Sequence, residues 1–325
     1  MKIYQAVAAL MFGLVLSTSV EAAVKAAVVT GSIDPVSGIL TTSGVIRYTY
    51  PKINGTAVAT PAGTTSYTAT ITVDGAARSY TVLRPNPAPA SAPLLLLLHP
   101  NGTSAETMTN LTEVAPFVLT QGFWAVMPSA NNGKWNDDPS NSSADDVDFI
   151  SALIDALVAQ GVDATRVYAA GYSNGGFMSE RLACQLSGKI AAFGIDAATL
   201  RSGLAGVCAP AVQRPKLYIL GTSDPIVPYD GVANLYSALN TMAFWVAQQH
   251  CGGTVASSLP DIANDKTTVQ LTDYTGCTAG QALKLYTVTG GGHAWPGGLT
   301  QSVGTTSQDI SATGLIWSFA AAYQR

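Results

Sequence analysis

The pattern of apolar and polar positions changes character near Pro93. Before it, "YTATITVDGAARSYTVLRP" (67–85) alternates apolar and polar residues on both sides of Asp74-Gly75, which predicts two strands with one covered face joined by a tight turn. Residues 24–66, rich in Thr, Ser, Gly and Ala, have weak periodicity and predict irregular or edge β structure. After Pro93 the apolar runs become short and continuous: "LLLLL" (94–98), "GFWAVMP" (122–128), "RVYAAG" (166–171), "KLYILG" (216–221) and "LKLYTV" (283–288). Runs of that kind mark strands covered on both faces. Helical patterns separate them. The clearest is "DDVDFISALIDALVAQG", where Val147, Ile150, Ile154 and Leu157 share a face, acids occupy the first turn and Gly161 ends it. The last pattern, "GLIWSFAAAYQR", predicts a closing helix. Strands alternating with helices imply an α/β fold, a mostly parallel central sheet with helices on both faces. The expected organisation is a leader over 1–22, an N-terminal segment over 23–66 and one α/β domain over 67–325.

Composition narrows the partners. The 325 residues are 47% hydrophobic and 11% charged, enough apolar material for a large core, with a formal charge of −4. No run of Lys or Arg offers a footprint for nucleic acid or an anionic membrane, so a small neutral or apolar molecule fits better. Met1 to Ala22 carries Lys2, the apolar run "AVAALMFGLVL" and the small-residue site Val20-Glu21-Ala22, the layout of a secretory signal peptide. A membrane anchor is the alternative, and its apolar run is short of the ~20 residues a spanning helix needs. Export makes an even cysteine count suggest disulfides. Cys184, Cys208, Cys251 and Cys277 lack the C-x-x-C spacing of a zinc site and allow three pairings, of which Cys184–Cys208 with Cys251–Cys277 closes the shortest loops. A secreted monomer is expected.

Candidate chemistry starts at Gly171-Tyr172-Ser173-Asn174-Gly175, a G-x-S-x-G between a buried strand and a helix. A serine at so sharp a turn takes a strained backbone, and side chains two residues before and after it would collide with the adjoining strand and helix. Glycines at 171 and 175 remove that collision. The strain lifts the hydroxyl above the sheet, and the following helix N-terminus offers N–H groups to a developing oxyanion.

A serine hydroxyl at neutral pH needs an imidazole to take its proton. Of three histidines, His99 ends the "LLLLL" strand, His250 sits beside Cys251 at a helix end, and His293 lies in the glycine-rich loop "GGGHAWPGG". Only His293 follows the serine in a loop free to reach it. The acid that orients it should leave a strand end between the two. Asp224 in "LYILGTSDPIVPYD" does so, with Asp196 and Asp230 as rivals. For the oxyanion, the loop "LLLLLHPNGTSAE" should supply one main-chain donor. Pro100 has no N–H, which leaves Asn101, with Gly102 as runner-up, and Asn174 after the nucleophile as the second donor. His99 reads as a structural residue of that loop. Trp135, Tyr172 and Trp295 are the aromatics expected to line the cleft, or else to be buried packing. No metal or organic cofactor is implied.

"GYSNGGFMSERLAC", "GTSDPIVPY" and "GGGHAWPGG", with "KWNDDPSNSSADDVDF" upstream, resemble the secreted esterases of the polyhydroxybutyrate depolymerase family, including its LpqC-like and feruloyl-esterase-like branches. The resemblance runs from Tyr67 to the C-terminus. It implies an α/β-hydrolase fold with nucleophile, acid and base at Ser173, Asp224 and His293. The sequence departs from the family pattern at His99-Pro100-Asn101, where members usually carry His-Gly-Cys or His-Gly-Gly, and the Ser/Gly-rich linker and C-terminal substrate-binding module of many polymer-degrading members are not expected here. The expected activity is a serine carboxylic-ester hydrolase working through an acyl-enzyme on polyhydroxyalkanoate or other polyester bonds. The alternatives are a feruloyl or acetyl-xylan esterase, a serine peptidase and a non-catalytic binding protein.

Overall fold

The computed structural model describes residues 28–325 apart from 49–52, 54, 56, 141–144 and 302. The leader expected over 1–22 lies outside the described residues. In chain order the elements are β1 (Gly31–Ile33), β2 (Leu40–Thr42), β3 (Thr64–Val73), β4 (Ala76–Pro85), β5 (Ala92–Leu98), α1 (Ala105–Leu111), α2 (Ala115–Gln121) and β6 (Trp124–Pro128). Then follow α3 (Asp146–Ala159), β7 (Val162–Tyr172), α4 (Asn174–Gln185), β8 (Ala192–Asp196), α5 (Ser202–Ala205) and β9 (Lys216–Gly221). The chain closes with α6 (Ala238–Gln249), β10 (Gly253–Ser258), β11 (Thr268–Thr275), β12 (Leu283–Thr289) and α7 (Ala312–Ala320).

Ten strands form one sheet in the order β10-β11-β12-β9-β8-β7-β5-β6-β4-β3. The six from β12 to β6 are parallel and supply its centre. The β3–β4 hairpin turns through Asp74 (φ 50°) and Gly75 (φ 77°) and pairs antiparallel with β6. At the other edge β11 and β10 add antiparallel strands that the apolar pattern did not announce, because every residue of β10 is exposed. β8 was visible only as an apolar run ending at Asp196.

The "LLLLL" run shows why the sheet needs cover on both faces. Successive strand side chains point to opposite sides. Leu94, Leu96 and Leu98 accordingly join one core with Phe149, Ile150 and Leu157 of α3, while Leu95 and Leu97 join another with Leu315, Ile316 and Trp317 of α7. α3 starts where Asp145 accepts hydrogen bonds from the Val147 and Asp148 N–H groups. The described part of the N-terminal segment is not a detached tail. β1 and β2 form a small antiparallel pair, and Ile33 and Leu40 pack on the second core.

Both disulfides join cysteines that are neighbours along the chain, Cys184 to Cys208 and Cys251 to Cys277, with sequence separations of 24 and 26. The first ties the end of α4 to the segment before β9, and the second ties the end of α6 to the end of β11. Each closes a loop whose constraint contributes about 2–4 kcal/mol. Reduction should therefore lower the melting temperature clearly, read by differential scanning calorimetry with and without reductant. An unchanged melting temperature, or four titratable thiols in denatured unreduced protein, would contradict the two bridges.

Candidate active site

The C-terminal ends of the parallel strands gather the candidate residues. Ser173 occupies the turn from β7 to α4 with φ 56° and ψ −118°, a left-handed backbone that a non-glycine residue adopts only when its surroundings hold it there. Its N–H donates to the Asp196 carbonyl at 3.0 Å and its carbonyl accepts from the Phe177 N–H at 2.9 Å. The flanking glycines are required by space. A Cβ on Gly171 would overlap the Gly175 carbonyl, and a Cβ on Gly175 would overlap the Leu98 carbonyl. Strand β5, the turn and α4 are thus pressed together with no room for side chains, and the serine is forced outward.

His293 meets Ser173 from the loop after β12. Its Nε2 lies 2.8 Å from Ser173 Oγ and its Nδ1 lies 2.7 Å from Asp224 Oδ2. With Nδ1–H donating to the carboxylate, Nε2 presents a lone pair to the serine hydroxyl. Asp224, 6% exposed, is fixed in turn, because its Oδ1 accepts from the Ile226 and Val227 N–H groups at 2.8 and 2.9 Å. The loop beneath His293 is pinned by Gly292 N–H to the Thr305 carbonyl and His293 N–H to the Val303 carbonyl, each 2.9 Å. These three residues, from three different loops, stand in one hydrogen-bonded series. Asp196 and His250 do not join it: Asp196 turns beneath the site, and His250 is an exposed C-cap of α6.

Of the expected oxyanion donors, Asn174 directly follows the serine and Asn101 lies in the turn after β5, the strand paired with β7. Asn174 opens α4, so its main-chain N–H has no partner within the helix. Asn101 follows β5 in an exposed turn, and no acceptor for its N–H is found among the described residues. The Gly102 N–H is committed to the Gly133 carbonyl at 2.8 Å, which removes the runner-up. His99 shapes this loop with both ring nitrogens: Nδ1–H donates to the Pro100 carbonyl at 2.8 Å and Nε2 accepts from the Ala130 N–H at 3.0 Å. Burial pushes its pKa down and keeps it neutral, as a ring that accepts one bond and donates another must be.

The three aromatics expected to line a cleft are instead buried. Trp135 is 1% exposed, and its Nε1–H donates to the His99 carbonyl at 2.9 Å. Trp295 is 0% exposed, and its Nε1–H donates to Thr313 Oγ1 at 3.0 Å. Tyr172, 3% exposed, donates its hydroxyl to the His293 carbonyl at 2.8 Å and stands 5.1 Å from the His293 ring. A tryptophan near a catalytic motif along the chain gives no sign of which way its ring turns, and here each indole N–H finds an interior acceptor. These three side chains brace the loops around the serine through their interior hydrogen bonds.

Sequence reasoning did not find the clamp on Asn174. Its side-chain oxygen accepts from the Trp135 N–H at 2.7 Å, and its amide donates to Asp137 Oδ2 at 3.0 Å. Asp137 also pairs with Arg201 at 2.9 Å. The acid-rich stretch "KWNDDPSNSSADDVDF" contained the signal, but only the fold shows that Asp137 reaches the residue after the serine. Among the described residues no cluster of His, Cys, Asp and Glu could hold a metal ion, and no helix is long and apolar enough to cross a membrane.

No family model matches the chain. It is 30% identical over 270 residues to the protein named "Putative esterase NocK" from Nocardia uniformis subsp. tsuyamanensis, covering 74% of this chain and 78% of that one. It is 31% identical over 220 residues to Feruloyl esterase B of Piromyces equi, where the match takes in 63% of this chain and spans only 40% of the relative. Among solved structures, an acetyl xylan esterase from Aspergillus awamori shares the α/β-hydrolase fold with a TM-score of 0.54 at 13% identity, over 70% of this chain and 94% of that one.

Proposed function

We propose that this chain, which belongs to the α/β-hydrolase esterase family of NocK, is an exported carboxylic-ester hydrolase that works through a serine acyl-enzyme. The observation that carries the reading is the unbroken series from Ser173 Oγ through His293 to Asp224, at 2.8 and 2.7 Å, on a serine held at positive φ. In the first step Ser173 Oγ attacks the ester carbonyl while His293 Nε2 takes its proton. The main-chain N–H groups of Asn101 and Asn174 hold the oxyanion of the tetrahedral intermediate. His293 then gives its proton to the departing alcohol, and Asp224 holds the imidazolium in place throughout. Water repeats the sequence on the acyl-enzyme and frees the acid. The Asp137–Asn174–Trp135 clamp keeps the first turn of α4 in register with the serine, so that one donor is pre-positioned. The two disulfides support export, since such bonds persist in oxidising compartments.

For the substrate, the motifs around Ser173, Asp224 and His293 favour 3-hydroxyalkanoate oligomers and related polyesters. The names of the sequence relatives favour the second reading, a feruloyl or acetyl-xylan ester. Initial rates on a soluble 3-hydroxybutyrate oligomer, a polymer film at matched accessible ester concentration, methyl ferulate and an acetylated xylan separate these. The first reading expects the 3-hydroxybutyrate oligomer to turn over faster than methyl ferulate or the acetylated xylan. Faster hydrolysis of the ferulate or the xylan ester would move the assignment to the second reading, and hydrolysis of amides in preference to every ester would overturn the esterase.

A further inference from the structure

Asp196 ends β8 directly beneath the turn. Its carbonyl accepts the Ser173 N–H at 3.0 Å, and the parallel register sets it beside Tyr172 of β7 and Ile219 of β9. The side chain is 1% exposed, yet neither carboxyl oxygen has a protein partner among the described residues. Leaving such a group unsatisfied in the interior is expensive. Asp196 lines a small cavity of about 10 Å³, walled also by Gly221, Gly291, Gly292, Thr305 and Ser307 beneath the loop that carries His293. A cavity of roughly that size accommodates one water when two or more polar groups face it. Its walls come from the strand ends that carry Asp224 and His293 and from the segment that accepts the Gly292 N–H.

We infer that Asp196 is a positioning residue, whose carboxyl holds one internal water between the strand end under Ser173 and the loop that carries His293. Two titratable groups act on it: Asp224 from the loop after β9 and Tyr172 from β7. α4 and α7, which pack on β8, approach through Gly176 and Ile316, and the charged residues of α4 are engaged elsewhere, Glu180 with Tyr218 and Arg181 with Gln185 and the Asn136 carbonyl. Burial first, and then the negative charge of Asp224, push the Asp196 carboxyl well above the usual carboxylate range. On this inference the carboxyl is protonated, with one O–H to donate to the water and lone pairs to accept, and Asp224 is the carboxylate bonded to His293. The role rests on the esterase reading of Ser173 and His293.

The test compares wild type with Asp196→Asn and Asp196→Leu. The amide keeps the shape, the neutrality and the ability to hold water, so kcat should stay within about threefold and the acidic limb of the kcat/KM profile should not move. Leucine fills the cavity with apolar bulk, so kcat should fall by about 10- to 100-fold with KM nearly unchanged, because small misplacements of catalytic groups cost rates of that order. A downward shift of the acidic limb in Asp196→Asn would show that Asp196 is charged in wild type and would overturn the inference, as would full activity in Asp196→Leu. If the leucine variant does not fold, the amide variant decides.

A second readout is independent of esterase activity. A raised carboxyl pKa in the folded state means that the folded protein keeps a proton which the unfolded chain releases above pH about 4. Asp196 therefore contributes most stability below that pH and loses it as pH rises toward the folded value. Asp196→Asn, which does not titrate, should gain melting temperature relative to wild type between pH 4 and 8. A difference that stays constant over that range overturns the neutral carboxyl whether or not the protein hydrolyses esters.

Discussion

Alanine at position 173 should leave the fold intact and lower kcat by about 10³- to 10⁶-fold. The substitution removes one atom, Oγ, and with it only the 2.8 Å hydrogen bond to His293 among the contacts that hold the turn. The main-chain bonds to Asp196 and Phe177 remain, and Gly171 and Gly175 still permit the close approach of β5, β7 and α4. The backbone strain at φ 56°, on the order of 1–3 kcal/mol, is present in both proteins and cancels. What disappears is the atom that bonds to the acyl group. The oxyanion donors and the binding surface persist, so the residual rate should still exceed the uncatalysed one. Circular dichroism, melting temperature and kcat on a soluble ester check it together. A folded variant with near wild-type kcat would remove the mechanism altogether.

His293→Ala should lose activity to a similar degree, and His250→Ala should not. His293 Nε2 is the base within reach of Ser173 Oγ, at 2.8 Å, with its other nitrogen anchored on Asp224. Without it the hydroxyl keeps its proton and is a poor nucleophile. His250 is exposed, caps α6 at φ 54° and precedes the disulfide cysteine 251. The left-handed backbone there is present with either side chain, so its strain cancels and the substitution should spare kcat/KM and change stability little. Because Ser173 and His293 act as one unit, the double variant should be no slower than the slower single. Equal losses in the two histidine variants would mean that the base was assigned to the wrong residue.

How much of this was readable in the chain depends on whether the constraint is local. The wholly apolar runs and the Asp74-Gly75 turn describe their own surroundings, so the parallel centre of the sheet and the β3–β4 hairpin were legible. So was the serine turn, because the glycines of G-x-S-x-G record a clash that exists wherever a strand and helix meet that sharply. Asp224 and His293 could be chosen because each follows a buried strand by a few residues. β10 was not legible, since an exposed edge strand carries no apolar periodicity. The orientations of Trp135, Tyr172 and Trp295 were also hidden, because they depend on acceptors at His99, His293 and Thr313, distant along the chain or set by loop geometry. Asp196 looked like a rival for the acid for a sound local reason: it too ends an apolar run. Only the packing of neighbouring strands turns it under the site while Asp224 reaches His293.

The central claim is that Ser173 becomes acylated, and covalent trapping reads it directly. Wild-type protein treated with a fluorophosphonate ester, digested and mapped by mass spectrometry should carry one equivalent of label on the peptide containing Ser173. Esterase activity should be lost in proportion to labelling, and Ser173→Ala should take up no label. Label at a different residue, or full activity in protein labelled stoichiometrically at Ser173, would contradict the account.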